Sequence, residues 1–252
     1  TTILTHATDT SNIGLGANAV DSITTGDYNV GIGDNAGTAI TTGSYNTSLG
    51  INALASNTTA IFNTAIGYNA LNANVTGQEN TAVGLEALKA NTIGSNNTAF
   101  GYQSLKTNTI GGSNTAVGYG ALYINTIGGA NSAFGINALS ANSTGANNSA
   151  FGANALVSNS TGKQNCAFGR NALYSNTVAD SNNAFGYNAL YNNTAGANNA
   201  FGYKSLFANT TGTGNIAFGF AALQNNTSGT NNTAVGYQSL NNNTSGLRNA
   251  AF

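Results

Sequence analysis

Charge is nearly missing from this 252-residue chain: acidic and basic residues make up 5% of it, against about a quarter of an ordinary soluble domain. A helical globular protein needs Glu, Lys and Arg to solvate its outer faces, so that architecture is excluded. Asn, Ser and Thr must meet the solvent instead, and these residues favour turns and strands over helix interiors. Six cations against seven anions give a net charge of −1, which leaves no electrostatic footprint for nucleic acid. Four of the acids (Asp9, Asp21, Asp27, Asp34) lie near the N-terminus, and the cations begin at Lys89. Pro, Met and Trp are absent, and a single Cys excludes an internal disulfide framework. No apolar run approaches the ~18–20 residues that span a bilayer, and no signal-peptide pattern opens the chain. With no Met, and with Asn249-Ala250-Ala251-Phe252 opening a further repeat, the sequence reads as a segment truncated at both ends from a longer polypeptide.

What is abundant is Gly (33) and Asn (45), and the Asn residues are periodic. They recur every 17 residues from Asn12, Asn29 and Asn46 to Asn182, then resume after a one-residue deletion at Asn198, Asn215, Asn232 and Asn249. A glycine follows four residues after each of these except the last, from Gly16 to Gly236. The consensus is Asn-Thr-Ala-φ-Gly-Tyr-x-Ala-Leu-x-x-Asn-Thr-x-Gly-x-x, with φ an apolar residue. About fourteen copies occupy residues 12–252 without a linker, after a lead-in at 1–11 that carries no repeat.

Seventeen residues is too short for two-helix repeats, which need 33 or more. Gly and Asn supply left-handed corners, and Thr-Ala-φ-Gly-Tyr alternates with period two. The period therefore predicts an all-β, parallel β-solenoid (β-roll or β-helix) of about fourteen 17-residue coils, with two or three short strands per coil. Equivalent residues then stack ~4.8 Å apart, which predicts a rod roughly 65–70 Å long. The expected core is a φ ladder (Val83, Phe100, Val117, Phe134, Phe151) and a Leu ladder (Leu88, Leu105, Leu122, Leu139, Leu156). Asn91, Asn108, Asn125 and Asn142 are placed to form a hydrogen-bonded Asn ladder of the kind seen in cross-β stacks. A lone coil buries too little to offset its ordering entropy, so neighbours are required.

A second apolar column follows the φ-Gly pair and includes Tyr68, Tyr102, Tyr119, Tyr187, Tyr203 and Tyr237. With φ inside, this column either fills a wide coil or forms an intersubunit seam, since large exposed apolar patches mark interfaces. The seam in a homotrimer is the favoured expectation.

Repeats such as Asn-Thr-Ala-Val-Gly-Tyr-Gln-Ser-Leu (232–240) and Asn-Thr-Ala-Ile-Gly-Tyr-Asn-Ala-Leu (63–71) resemble the shaft repeats of phage tail-fibre-like proteins and of bacterial trimeric fibre adhesins. The Ala-φ-Gly core is also similar to the head repeats of trimeric autotransporter adhesins, whose period is shorter. The resemblance covers residues 12–252. It implies a trimeric structural fibre, extracellular and displayed on a cell surface or virion, that serves cell adhesion by holding out or contributing to a tip that binds a receptor protein or glycan. Alternative expectations are a self-assembling extracellular filament or surface-layer subunit, and an ice-binding β-solenoid. The latter needs an unbroken outward Thr face, and the first Thr column decays through Ser132, Ser149, Cys166, Asn183, Asn199 and Ile216.

Catalytic chemistry is not expected, and no enzyme activity, cofactor, metal or nucleic-acid partner is assigned. His6 is the only histidine and lies in the lead-in. Cys166 replaces a small hydroxyl residue, with no base nearby in sequence. Glu79 and Glu86 read as a solvated face rather than metal ligands. Gly14-Leu15-Gly16 and Gly31-Ile32-Gly33 read as corner glycines rather than a phosphate loop, because no helix follows. Sequons such as Asn57-Thr58-Thr59 arise by chance in an Asn/Thr-rich repeat. The cations Lys89, Lys106, Lys163, Arg170, Lys204 and Arg248 are read as lying in different columns, without a basic stripe.

Overall fold

A computed structural model describes the two-residue strand Ile3–Leu4 and residues 11–252. His6 and Asp9 lie outside the described residues. The chain forms two compact units, Thr1–Ile127 and Gly128–Phe252. Each is an all-β parallel solenoid built from the same coil, about fourteen coils in all, with no helix among the described residues. Within unit 1, Ile3–Leu4 pairs antiparallel with Ile13–Leu15. Seven strands from Ile13–Leu15 to Thr115–Val117 then run parallel in sequence order. Unit 2 repeats the arrangement from Ser132–Phe134 to Ala250–Ala251.

Each coil carries one strand, not the two or three that its length allows. The remaining residues turn too tightly for strand geometry, yet still bond to neighbouring coils. Coil 63–79 shows how. Thr64 N donates to Asn80 O of the next coil at 2.8 Å, Gly67 N to Leu49 O of the previous one at 2.8 Å, and Asn69 N to Ile51 O at 3.1 Å. Leu71 N then donates to Ala87 O at 3.0 Å. This alternation is made by left-handed residues: Asn69 has φ 54° and Leu71 φ 50°. A left-handed Leu costs roughly 1–2 kcal/mol. It is retained because the side chain is fully buried at every coil from Leu54 to Leu223, which returns about 1.5–3 kcal/mol.

The core is thin and half polar. Leu88, Leu105, Leu122, Leu139 and Leu156 are fully buried, together with two Ala columns and two Asn columns. The φ residues are not inside. Val83, Phe100, Val117, Phe134 and Phe151 do align rung to rung, with Val83 opposite Phe100, Phe100 opposite Val117 and Phe134 opposite Phe151. They face outward, however: Phe100 is 56% exposed and the others are half-buried. The middle residue of each strand, usually Ala, takes the inward position. The reason is volume. With Leu, two Ala and two Asn already sharing the cross-section, an inward Phe has no space, and period-two alternation puts φ outside once Ala is inside.

Asn satisfies the polar half of this core. Asn91 Nδ2 donates to Asn74 Oδ1 at 2.8 Å, Asn108 Nδ2 to Asn91 Oδ1 at 2.8 Å, and Asn125 Nδ2 to Asn108 Oδ1 at 2.7 Å. In unit 2 the series runs through Asn142, which accepts from Asn159 Nδ2 at 2.8 Å. The first Asn column makes a second ladder, in which Asn80 N and Nδ2 both donate to Asn63 Oδ1 and Nδ2 also donates to Gly94 O. Irregular coils are repaired locally. Gly37 stands in the Leu column, and Ile40, in the Asn column, fills its space with Cδ1 lying 2.9 Å from where a Gly37 Cβ would sit.

Leu156→Ala is expected to destabilise unit 2 by about 2–5 kcal/mol, and Asn108→Ala unit 1 by about 1–3 kcal/mol through unpaired buried amide groups. Phe151→Ala, on the outer face, is expected to cost under about 1 kcal/mol in the isolated chain. Urea denaturation of the three variants checks the ranking, which reverses if φ is a core position.

Candidate interaction surface

The coil geometry that buries Ala and Leu displays two aromatic stripes. The first is the φ column. In unit 2 the rings of Phe134, Phe151, Phe168 and Phe185 stack with centroids 4.5–4.8 Å apart and planes within 8°. Phe185 and Phe201 continue the stack at 4.8 Å. The second is the column after the corner glycine, where Tyr68, Tyr102, Tyr119, Tyr187, Tyr203 and Tyr237 are all exposed, Tyr237 to 72%. Tyr102 stacks on Tyr119 at 5.0 Å, and Tyr187 leads through Tyr203 and Phe220 to Tyr237 at 5.0–5.4 Å. The glycine between the stripes is obligatory. At Gly101 φ is 137°, and an added Cβ would lie 2.5 Å from Gly118 O.

Because the rungs repeat at van der Waals distance, most rings in a stack offer their faces to each other and their edges to solvent. Such stripes suit dry packing against another ridge more than stacking on a flat ligand. Two further stacks were not anticipated from sequence. Tyr28, Tyr45 and Phe62 stack at 5.0–5.1 Å in unit 1. Tyr174, Tyr191 and Phe207 stack at 4.8–5.3 Å in unit 2. Their 17- and 16-residue spacings were the available signal. Lys204 Nζ sits 5.4 Å from the Tyr203 ring centroid and 5.5 Å from that of Phe207, between two of the stacks.

The Thr columns divide by role. Hydroxyls of the second column brace successive coils, as Thr92 Oγ1 donates to Thr109 O and Thr109 Oγ1 to Thr126 O, both at 3.0 Å. The first column lies on the outer strand face beside φ. Cys166 belongs to it, half-buried between Ser149 and Asn183 in register. Asn57, the first residue of a sequon, is fully buried with Nδ2 donating to Ala60 O, so it is closed to modification in the folded chain. Gly16 and Gly33 are corner residues, whereas Gly14 and Gly31 sit mid-strand, in the inward position that later coils give to Ala.

The charges differ from the sequence expectation at one place. Lys89 and Lys106 share a column, 17 residues apart, and both bind Glu86. Lys89 Nζ lies 2.7 Å from Oε1 and Lys106 Nζ 2.8 Å from Oε2, while Gln103 Nε2 donates to Oε2 at 2.8 Å. Glu86 is therefore clamped by three partners. Glu79 is an exposed corner residue with φ 57°. Among the described residues no cluster of three or more His, Cys, Asp or Glu is placed to hold a metal ion, and no helix is long and apolar enough to cross a membrane.

Hydrogen bonds from Lys106, then Lys89 and Gln103, hold the Glu86 carboxyl at a pKa of about 2, below its ordinary 4.5. The folded state thus binds this proton more weakly than the unfolded state. The stabilisation is complete above about pH 5 and is lost as pH falls from about 4.5 towards 2. Glu86→Gln is expected to lower stability at pH 7 by about 1 kcal/mol and to flatten this part of the acid limb, measured as thermal midpoint against pH.

Compared with known families and curated proteins, the sequence matches no family model and no curated relative.

Proposed function

We propose that the chain is a structural shaft segment of a surface-displayed, homotrimeric fibre, in which copies pack through the outward φ and Tyr stripes. The observation that carries this reading is the extent of those stripes. In unit 2 alone, twelve large apolar side chains, Phe134 to Val235 in the φ column and Ile136 to Tyr237 in the column after glycine, are half-buried or exposed. At 150–250 Å² for a large side chain, they leave on the order of 1,000 Å² of apolar surface uncovered. A monomer ordinarily leaves patches of about 300–600 Å², and a standard interface needs about 800 Å² per partner.

Two stripes flanking one glycine corner also bear on stoichiometry. A two-fold contact through one stripe leaves the other in water, whereas a cyclic arrangement lets each copy offer one stripe to each of two neighbours. Three is the smallest such ring, and the repeat's resemblance to trimeric fibre shafts points the same way. A nearly uncharged, periodic, rigid element suits a spacer that presents an adhesive tip to a cell-surface receptor or glycan, outside the cell or on a virion. The role proposed is adhesive and structural rather than enzymatic.

A second reading, ice binding, is favoured by one feature. Thr47, Thr64, Thr81, Thr98 and Thr115 head five consecutive parallel strands of unit 1 on the outer face. From Ser132 onward the column holds Thr only at Thr233, which confines the unbroken array to unit 1.

Light scattering is expected to give three times the 25.2 kDa chain mass, and Phe151→Glu with Phe185→Glu to give a folded monomer by circular dichroism. A monomeric wild-type chain removes the proposal. Under the trimer reading thermal hysteresis is expected to be nil, and a clear hysteresis activity lost on Thr81→Lys would transfer the function to the Thr row.

A further inference from the structure

Both asparagine ladders of unit 2 lose a side-chain bond at the same step. Coil 182–197 is one residue shorter than its neighbours. Its sequence keeps Asn193-Thr194-Ala195-Gly196, but Ala195 O accepts from Asn193 as Ala179 O and Gly212 O do from Asn176 and Asn209, which places the missing residue between Thr194 and Ala195. At the other steps of the second column, each Nδ2 donates to the Oδ1 one coil earlier: Asn176 to Asn159 at 3.0 Å, Asn226 to Asn209 at 2.9 Å. Asn193 Nδ2 keeps only the bond to its own corner that its neighbours also make, to Ala195 O at 2.6 Å, and makes none to Asn176. Asn176 is fully buried, and its Oδ1 is left without a hydrogen-bond partner.

The first column loses its side-chain bond at the same place, although Asn198 N still donates to Asn182 Oδ1 at 3.0 Å. Asn182 Nδ2 donates to Asn165 Oδ1 and Asn215 Nδ2 to Asn198 Oδ1, each at 3.2 Å. Asn198 Nδ2 is diverted to Asn193 Oδ1 at 3.2 Å. The corner itself opens towards solvent. Its glycine column is buried at Gly162 and Gly212, whereas Ala179, Ala195 and Gly196 are half-exposed. The opposite wall is unaffected: Cys166–Phe168, Asn183–Phe185 and Asn199–Phe201 stay in register, and Leu173 and Leu190 remain fully buried.

We infer that this corner, residues 177–182 over 193–197, is a built-in weak rung at which unit 2 opens locally before it unfolds. In a solenoid, stability is a sum over nearest-neighbour interfaces, so opening begins at the interface with the fewest satisfied groups. Here one wall of an interface has lost ladder bonds in both columns and carries an orphaned acceptor, while the strand wall holds. The motion is a swing of the corner about the intact strand and Leu wall. It presents the backbone of 193–197 to solvent, and to proteases, at one defined coil of unit 2. The inference concerns one unit of one chain and does not depend on the trimer.

Hydrogen exchange on the full chain tests it. Amides of 177–182 and 193–198 are expected to exchange at least about tenfold faster than the equivalent corner at 160–165. Inserting one Thr between Thr194 and Ala195 restores the coil length, and is expected to return these rates to those of the neighbouring coils. Deleting Ser228, the corresponding residue two coils on, is expected to create a second fast corner around 209–232. Uniform exchange along the wild-type unit overturns the inference. So does fast exchange that persists in a folded insertion variant, or a Ser228 deletion that leaves its corner protected.

Discussion

The structure depends on amide groups of one coil bonding to the same groups of the next, in strict register. Each coil brings only one Leu and two Ala to its interior, which is far too little to offset the ordering of seventeen residues. Asparagine is what makes stacking possible under that constraint. Its side chain offers a donor on one side and an acceptor on the other, so a column of Asn satisfies itself along the axis and closes the corner carbonyls at the same time. A hydrophobic residue in that column would leave those corner groups unpaired, and a charged one would repel its own copies above and below.

The outer surface follows from the same constraint. Register puts equivalent side chains at van der Waals distance on successive rungs, so aromatic columns become face-to-face stacks and the second threonine column becomes a row of braces. It also explains the scarcity of charge. A charged column would place like charges about 5 Å apart over many rungs. Where Lys89 and Lys106 do fall in one column, Glu86 sits between them and binds both. The apolar stripes that remain are left exposed in the chain, and corner glycines keep the two stripes distinct.

Tolerance to irregularity differs by kind. A change of residue is absorbed when a neighbour can fill the space, as Ile40 does above Gly37. A change of length is not absorbed within its coil, because every residue beyond the deletion would shift relative to both neighbours. The short coil keeps its strand and Leu wall in register and concentrates the mismatch in one corner, where two Asn ladders each lose a side-chain bond. Left-handed Leu residues belong to the same logic: backbone strain is accepted on every rung because the rung-to-rung bonds and the buried side chain hold it.

Legible in spacing and side-chain chemistry alone were the period, the parallel coil, the all-β class, the buried Leu column, the Asn positions and the corner glycines from Gly16 to Gly236, but not the single strand per coil or the mid-strand places of Gly14 and Gly31. Period-two alternation also puts Thr and φ on one face of the strand and Ala on the other. Which face is inside was decided only by the tertiary structure. Alternation assigns residues to faces without naming the interior, and hydrophobicity favoured Phe100 and Val117 where volume admits only alanine. The Glu86 clamp and the ladder break at Asn176 were likewise settled by the fold, because both depend on which atoms of neighbouring coils come within hydrogen-bond reach.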